Sequence, residues 1–304
     1  MLNRIATATN QQIAINSLQS RQASLAETQK QISSGDKYST FAAIAKDGET
    51  RRIADFESVL SQITSYKQNN TVLSSRLNTM DNTLSALEDI NTKAIAAIAL
   101  ERSANSQNNP LRQQLEAFLQ QIEGQLNVNT DGRYLFAGAA TGNKPVDSLV
   151  TSNLDSVTGE PNDGYYKGDD ATLSQAVSAD VVIQYNIKAN HPTFQKLIGA
   201  LHLAIKAEST GNDAGLASAV DIANSAQKDL VNMRGLLGAN AATIEHVTTQ
   251  HNNFQTYYKN VLDGITGTDV AAASISLSLD QAVLTASFQA FAGTSRLSLV
   301  SFLK

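Results

Sequence analysis

The chain has 304 residues, 42% of them hydrophobic and 17% charged, enough to bury a sizeable core in two or three domains of a soluble, globular class. A net charge of −5 with 6% aromatics gives no basic stripe of the kind that nucleic acid or an anionic membrane requires, which argues against duplex binding. The absence of cysteine removes disulfides, thiolate metal sites and thiol nucleophiles, and suits either a reducing cytosol or an exported protein that avoids cysteine.

The first stretch, MLNRIATATNQQIAIN, has no apolar run followed by a small-residue cleavage site, so it is not read as a secretory signal peptide and any export takes another route. Residues 1–32 form a low-charge amphipathic segment with Ile15, Leu18, Leu25 and Ile32 near one face, interrupted by SSGDK at 33–37. From Phe56 the apolar residues alternate three and four apart through Val59, Ile63, Tyr66, Leu73, Leu77, Met80, Leu84, Leu87, Ala94 and Ile98, with Asn70 and Asn91 the polar positions of the stripe. That pattern predicts one unbroken helix, roughly 65 Å long at 1.5 Å per residue. NPLRQQLEAFLQQIEGQLNV then predicts a shorter helix over 110–127, with Asn109 as its cap and Pro110 in its first turn.

Between Thr130 and His191 glycines and prolines gather, and β-branched runs such as DVVIQYNI at 180–187 alternate with turn signals, predicting a small β-rich insert. It opens with DGRYLFAG at 131–138, read as a tight turn at Asp131 and Gly132 leading into a half-buried strand with Tyr134 and Phe136 on one face. PTFQKLIGALHLAIKA resumes helical spacing at Pro192. A second heptad stripe runs through Leu230, Met233, Leu237, Asn240, Ile244, Val247, His251, Phe254, Tyr258, Val261 and Ile265, predicting a second long helix that packs on the first at a shallow angle. His251 and the three asparagines are read as seam residues with buried hydrogen-bond partners. After the break DGITGTD at 263–269, residues 270–304 mirror the N-terminal segment, and the two ends are expected to pair antiparallel. Two narrow helices cover each other on one side only, so the remaining apolar face requires neighbours. The interface so predicted is Leu18, Leu25, Leu284, Phe288, Phe291, Leu297, Leu299 and Phe302, with residues 277–304 unpaired until assembly covers them. Residues 281–295 are too short and too rich in Gln, Ser and Thr to span a bilayer.

No reaction chemistry stands out. His191, His202, His246 and His251 lack metal-ligand spacing, and Lys167 falls too far from the glycines of GEPNDG, which begins at Gly159, for a phosphate loop. Asp169, Asp170, Asp47 and Glu49 are read as solvated turn residues, because nothing places a base, nucleophile or oxyanion donor beside them. No catalytic residue, metal or cofactor is expected.

LQSRQASLAETQKQISSGDK, the long heptad helix, GRYLFAG, YYKGDD, LLGANAATIEH and the tail SFQAFAGTSRLSLVSFL occur here in the order found in the flagellin superfamily, which the chain resembles over most of its length. The forms of GRYLFAG and LSLVSFL are more similar to the hook-associated protein 3 family than to filament flagellin. YSTFAAIAKDGE departs from that family after SSGDK, where a proline and paired aspartates are usual. The resemblance implies a mainly α fold with paired terminal helices at 1–34 and 268–304 as an inner polymerisation domain. It places a long-helix rod at 35–130 and 192–267, and turns the β-rich insert at 131–191 outward. It further implies a structural, non-enzymatic subunit of the extracellular bacterial flagellum that joins the hook to the filament, exported through the flagellar type III channel. Its partners would be hook-associated protein 1, flagellin, copies of itself and an export chaperone, with no nucleic acid and no membrane insertion. Filament flagellin itself is the alternative. A ligand-binding or enzymatic insert lacks a convergent polar site, and a cytosolic coiled-coil adaptor leaves the matched ends unexplained.

Overall fold

The computed structural model describes residues 2–103, 110–150 and 163–302, without the side chains of 2–8, 10, 11, 41 and 294–302. Seven helices and two small hairpins follow one another in the described residues, and the chain divides into two compact units, residues 1–62 with 253–304, and residues 63–252.

Both predicted long helices form and both begin earlier than their stripes suggested. α3 (Thr50–Ser103) starts two residues after Gly48, whose φ of 77° closes the short helix α2 (Phe41–Asp47) in the left-handed conformation. Thr40 caps the other end of α2 by accepting from Ala43 N. α6 (Asp213–Thr266) extends its stripe backward through Leu216, Ala219, Ala223 and Ala226, all buried. Those alanines keep the three-four spacing with side chains too small to stand out as a hydrophobic pattern.

In residues 63–252 the stripe positions of α3 from Leu73 to Ile98 meet those of α6 from Leu216 to Val247 in one hydrophobic cluster. α4 (Leu111–Leu126) and α5 (Pro192–Ser209) pack on one another and complete that cluster with Leu115, Leu119, Phe194 and Leu201, each fully buried. Pro110 occupies the cap position of α4 rather than its first turn, and Asn109 lies outside the described residues. α5 takes Pro192 at its first turn, where the missing N–H costs nothing, and His191 caps it by accepting from Thr193 N.

The insert supplies two antiparallel hairpins, β1 (Asn129–Thr130) with β2 (Arg133–Tyr134), and β3 (Ser174–Ala176) with β4 (Val182–Gln184). Asp131 at φ 53° and Gly132 at φ 77° make the first turn, the pair of positive angles that a two-residue hairpin of this hand requires. The expected strand through Phe136 stops at Tyr134: Leu135, Phe136 and Ala137 are all buried, so the backbone leaves the hairpin and enters the core, where Phe136 meets Phe194 edge to face at 5.9 Å. The next residue closes onto the second insert motif. Gly138 has φ 70°, and a Cβ there would collide with Asp169, whose Oδ1 accepts from Ala139 N at 2.7 Å and Ala171 N at 3.1 Å. Asp169 N in turn donates to Ala137 O at 3.1 Å. GRYLFAG and YYKGDD, 30 residues apart, are therefore two halves of one clasp. Asp170 is likewise engaged, with Lys188 at 3.2 Å and Asn190 at 3.0 Å, and these partners hold its carboxyl below the ordinary range, Asn190 foremost. Asp169 is thus a structural tie rather than a free turn residue, while Asp170 remains solvated as expected, its side chain 81% exposed, and still bonds Lys188 and Asn190.

The seam polar residues tie the insert down. Asn70 Nδ2 and His251 Nε2 both reach the Val177 carbonyl oxygen, at 3.1 Å and 3.0 Å, while the imidazole stacks on Tyr66 with centroids 5.5 Å apart. Asn240 Nδ2 donates to Gln184 O at 3.1 Å, and Asn91 Nδ2 donates across to Ala223 O at 2.9 Å on α6. Such partners offset part of the cost of placing a polar group in a dry seam.

In the other unit, α1 (Leu2–Ser34) packs along α7 (Val270–Phe302). Asp280 accepts from Arg21 Nη1 and Ser24 Oγ, both at 3.2 Å, while Gly35 O accepts from Thr268 N at 2.8 Å, so the helices run antiparallel. Up to Gly293, the last described side-chain position, the terminal segment is thus paired within its own chain, against the expectation that residues 277–304 wait for assembly. Apolar contact along one face, reinforced by an ion pair, suffices to hold two helices of 33 residues each together.

Candidate functional site

The terminal pair is the candidate site, and its two faces differ. On the inner line of α7, Ala273, Leu277, Leu284, Ser287 and Phe291 are half-buried and Asp280 is buried, a three-four spacing that matches Ala14, Leu18, Leu25, Thr28 and Ile32 on α1. Of the predicted interface residues, Leu18, Leu25, Leu284 and Phe291 lie on these inner lines, whereas Phe288 is 47% exposed at the flank. The side chains of Leu297, Leu299 and Phe302 lie outside the described residues. Away from those lines Ile275 and Leu279, one turn apart on α7, are 72% and 63% exposed, while Val270 and Phe288 are exposed nearer the flank and Ile13 on α1 is exposed as well. Ile275 and Leu279 share one face of α7, and neighbouring large apolar side chains left in water mark a candidate interaction surface.

Sequence reasoning missed Asp280 as a register residue. The signal was present, because Asp280 is the sole acidic residue between Asp269 and the chain's last residue. Its side chain is 11% exposed against 52% for Arg21, a geometry that favours one register of the two helices over a slipped one. The hydroxyls of Ser278, Thr285 and Ser287 donate back to carbonyls one turn earlier, which lets polar residues sit on an otherwise apolar helix.

Measured over Val270–Gly293 rather than 281–295, α7 has a mean hydropathy of 1.2 and is long and apolar enough, by length and composition, to cross a membrane. Asp280 sits inside that window with its partners on α1.

Nearer the long helices, Phe56 meets Tyr258 at 5.8 Å, and Tyr257 meets Tyr258 at 5.4 Å. Phe254, assigned to the buried stripe by its spacing, is 45% exposed, and Tyr257 61%. Farther along, an open groove of about 840 Å³ runs between α3 and α6, walled by Ser74, Asn78, Gly238, Ala242 and Thr248. Among the described residues no group of three or more His, Cys, Asp or Glu could hold a metal ion. The histidines have other duties: His202 Nε2 lies 2.9 Å from Leu149 O, and burial pushes both His202 and the capping His191 below the ordinary imidazole value. His246 is exposed, and Gly159 lies outside the described residues.

The geometry defines a class, a mainly α chain whose two ends pair and present an apolar outer face. Residues 5–141 match the family model of the bacterial flagellin N-terminal helical region. The fold is similar to that of a protein from Vibrio parahaemolyticus assigned to the flagellar hook-associated proteins, with a TM-score of 0.57, 14% identity, and coverage of 71% of this chain and 96% of that one. It is also similar to the crystal structure of Bacillus cereus FlgL, with a TM-score of 0.51, 16% identity, and coverage of 64% and 98%. No curated protein sequence matches this chain.

Proposed function

We propose that the chain is a structural subunit of the bacterial flagellum that joins the hook to the filament. The observation that carries this reading is the pair of large apolar side chains Ile275 and Leu279 on α7, which the described residues leave mostly exposed. The flagellin-type N-terminal region and the hook-associated fold support it. In this reading residues 1–34 and 268–304 form the inner polymerisation domain, 35–130 and 192–267 the rod, and 131–191 the outward insert. The partners are copies of the same chain, hook-associated protein 1 on the hook side and flagellin on the filament side. The tail is held by an export chaperone before passage through the flagellar type III channel to the cell exterior. The partner surfaces are protein rather than lipid, since insertion of α7 would carry the Asp280 carboxylate into the hydrocarbon. The subunit has no catalytic role.

Deleting the gene and examining cells by electron microscopy tests the reading. The expected result is intact hooks without filaments and flagellin lost to the medium; hooks bearing normal filaments overturn it. Filament flagellin is the second reading, favoured by the N-terminal family match. It requires that the purified protein elongate filament seeds into long fibres unaided.

A further inference from the structure

Two faces within residues 63–252 are left unfilled, and they match each other. The first is the groove of about 840 Å³ between α3 and α6, walled by Ser74, Ser75 and Asn78 on one side and by Gly238, Ala242 and Thr248 on the other, with Glu245 its one charged lining residue. Gly238 is exposed in mid-helix with open space where a Cβ would stand, a choice that weakens α6 and that no contact of its own chain explains. Asn70, 1% exposed, lines the same groove with its amide half used: Nδ2 donates to Val177 O at 3.1 Å and to Thr248 Oγ1 at 3.4 Å, whereas Oδ1 is buried without a donor. A buried acceptor left open at the wall of a groove calls for a donor from outside the chain. From Asn70 to Asn82 the groove follows α3 for about 18 Å at 1.5 Å per residue.

The second face is the outward side of α4. At about 100° per residue, Gln113, Gln114, Ala117, Gln120, Gln121 and Gly124 fall within about 60° of one line along the helix, opposite the buried Leu115, Leu119 and Ile122. Each is exposed, and none is charged. Ala117 and Gly124 make the centre of this face low, with open space at Gly124, and glutamine amides stand on both sides of it. From Gln113 to Gly124 the face is about 17 Å long.

We infer that the groove between α3 and α6 receives the glutamine face of α4 from a second copy of the chain, an inference that rests on the flagellar reading of copies assembling together. The two faces agree in length and are both almost uncharged in a chain with 17% charged residues. Glutamine N–H groups supply the donors that the groove's hydroxyls and Asn70 Oδ1 lack, and small residues on both sides let the helix backbones approach closely. The chain cannot fill its own groove, because its α4 is packed against α5 and sits beside Ile90 of α3, with Gln121 and Gly124 next to that residue. Ile90 lies about 120° around α3 from Asn78. The giving and receiving faces therefore lie on different sides of the molecule, and a contact between unlike faces repeats from copy to copy into a ring or a helix.

The absence of native cysteine makes the test direct. Ser75→Cys on the groove wall and Gln120→Cys on α4 are both exposed positions, and cells carrying the double variant as their only copy supply flagella for treatment with a short bis-maleimide. The expected result is a ladder of multiples of the chain mass, absent from either single variant. A dimer from Ser75→Cys alone would mean groove against groove, and an adduct with a different flagellar protein would mean another occupant; either overturns the inference. Absence of the chain from purified flagella defeats the flagellar reading and this contact with it, whereas a chain present there only as uncross-linked monomer overturns the contact alone. Ala242→Trp, added to the double variant, fills the groove from an exposed position, so the isolated chain is expected to melt as the parent does while the ladder disappears. An undiminished ladder overturns the inference as well.

Discussion

The two units use polar groups in opposite ways. In residues 63–252 the fully buried polar side chains are amides, hydroxyls and an imidazole, and Asn70, Asn91 and His251 each bond to a main-chain carbonyl brought to them by the fold. In the terminal unit the one buried polar side chain among the described residues is a carboxylate, Asp280, held by an arginine more than half exposed. The first arrangement belongs to a core already closed by its own chain. The second belongs to a helix pair that fixes its register with a charge because it has too little apolar contact to fix it by packing.

The largest effect that would break this comparison is a charge in the closed core. Leu77 is 1% exposed on the α3 stripe and belongs to the hydrophobic cluster, so Leu77→Asp buries a carboxylate among apolar side chains and is expected to cost about 4 kcal/mol or more. Denaturant unfolding of the full chain measures it. Stability near that of the parent would mean that this stripe faces water.

A smaller effect tests whether the seam polar residues act as a unit. Asn70→Ala removes one of two donors to Val177 O and is expected to cost about 1–2 kcal/mol, with His251→Ala similar. The double variant is expected to cost more than the sum, because the carbonyl is then left buried without a partner. Additive values would show that the two residues act separately.

Acid sharpens the contrast further, since both histidines with depressed values lie in the closed unit. Burial is the first cause for His191 and for His202, so the folded state binds fewer protons than the unfolded state below the ordinary value of 6.5. Their stabilising contribution is complete above that value and is lost as the pH falls through it toward the depressed values. Melting of residues 63–252 is therefore expected to decline from pH 7.5 to 5.5. His202→Gln, which still donates to Leu149 O without titrating, should flatten that decline. An unchanged slope would exclude His202 as a source.

How far the sequence could be read follows the same divide. Large residues at three-four spacing announced α3 and the second half of α6, and the Asp-Gly pair announced the hairpin at 131–132, because in both cases the local pattern is the cause of the structure. The first half of α6 stayed hidden because its buried face is Ala219, Ala223 and Ala226, whose burial depends on close approach of a neighbour. The clasp between Gly138 and Asp169 was unreadable for a related reason: a contact across 30 residues leaves no local trace except a glycine. At the terminal helices the inner line was legible from spacing. The tail's being paired in its own chain was not, because pairing depends on a sum of weak contacts that no single residue reveals.

The smallest expected effect on the isolated chain is the one that separates the two regions most sharply. Leu279 is 63% exposed on the outer side of α7, one residue from Asp280 and pointing away from α1. Leu279→Asp therefore removes little contact within the chain, and surface changes of this kind fall within about 0.5 kcal/mol. Thermal melting should match the parent. In an assembled flagellum the same side chain is proposed to be covered, where full burial of a leucine stabilises by about 1.5–3 kcal/mol per contact and a carboxylate in its place opposes burial outright. Cells carrying Leu279→Asp should thus make a stable protein that is exported but not retained at the hook, read as subunit in the medium and bare hooks under the microscope. A drop in melting comparable to that of Leu77→Asp would show that the outer face is already covered within the chain. Normal filaments on Leu279→Asp cells would show that this face meets no neighbour.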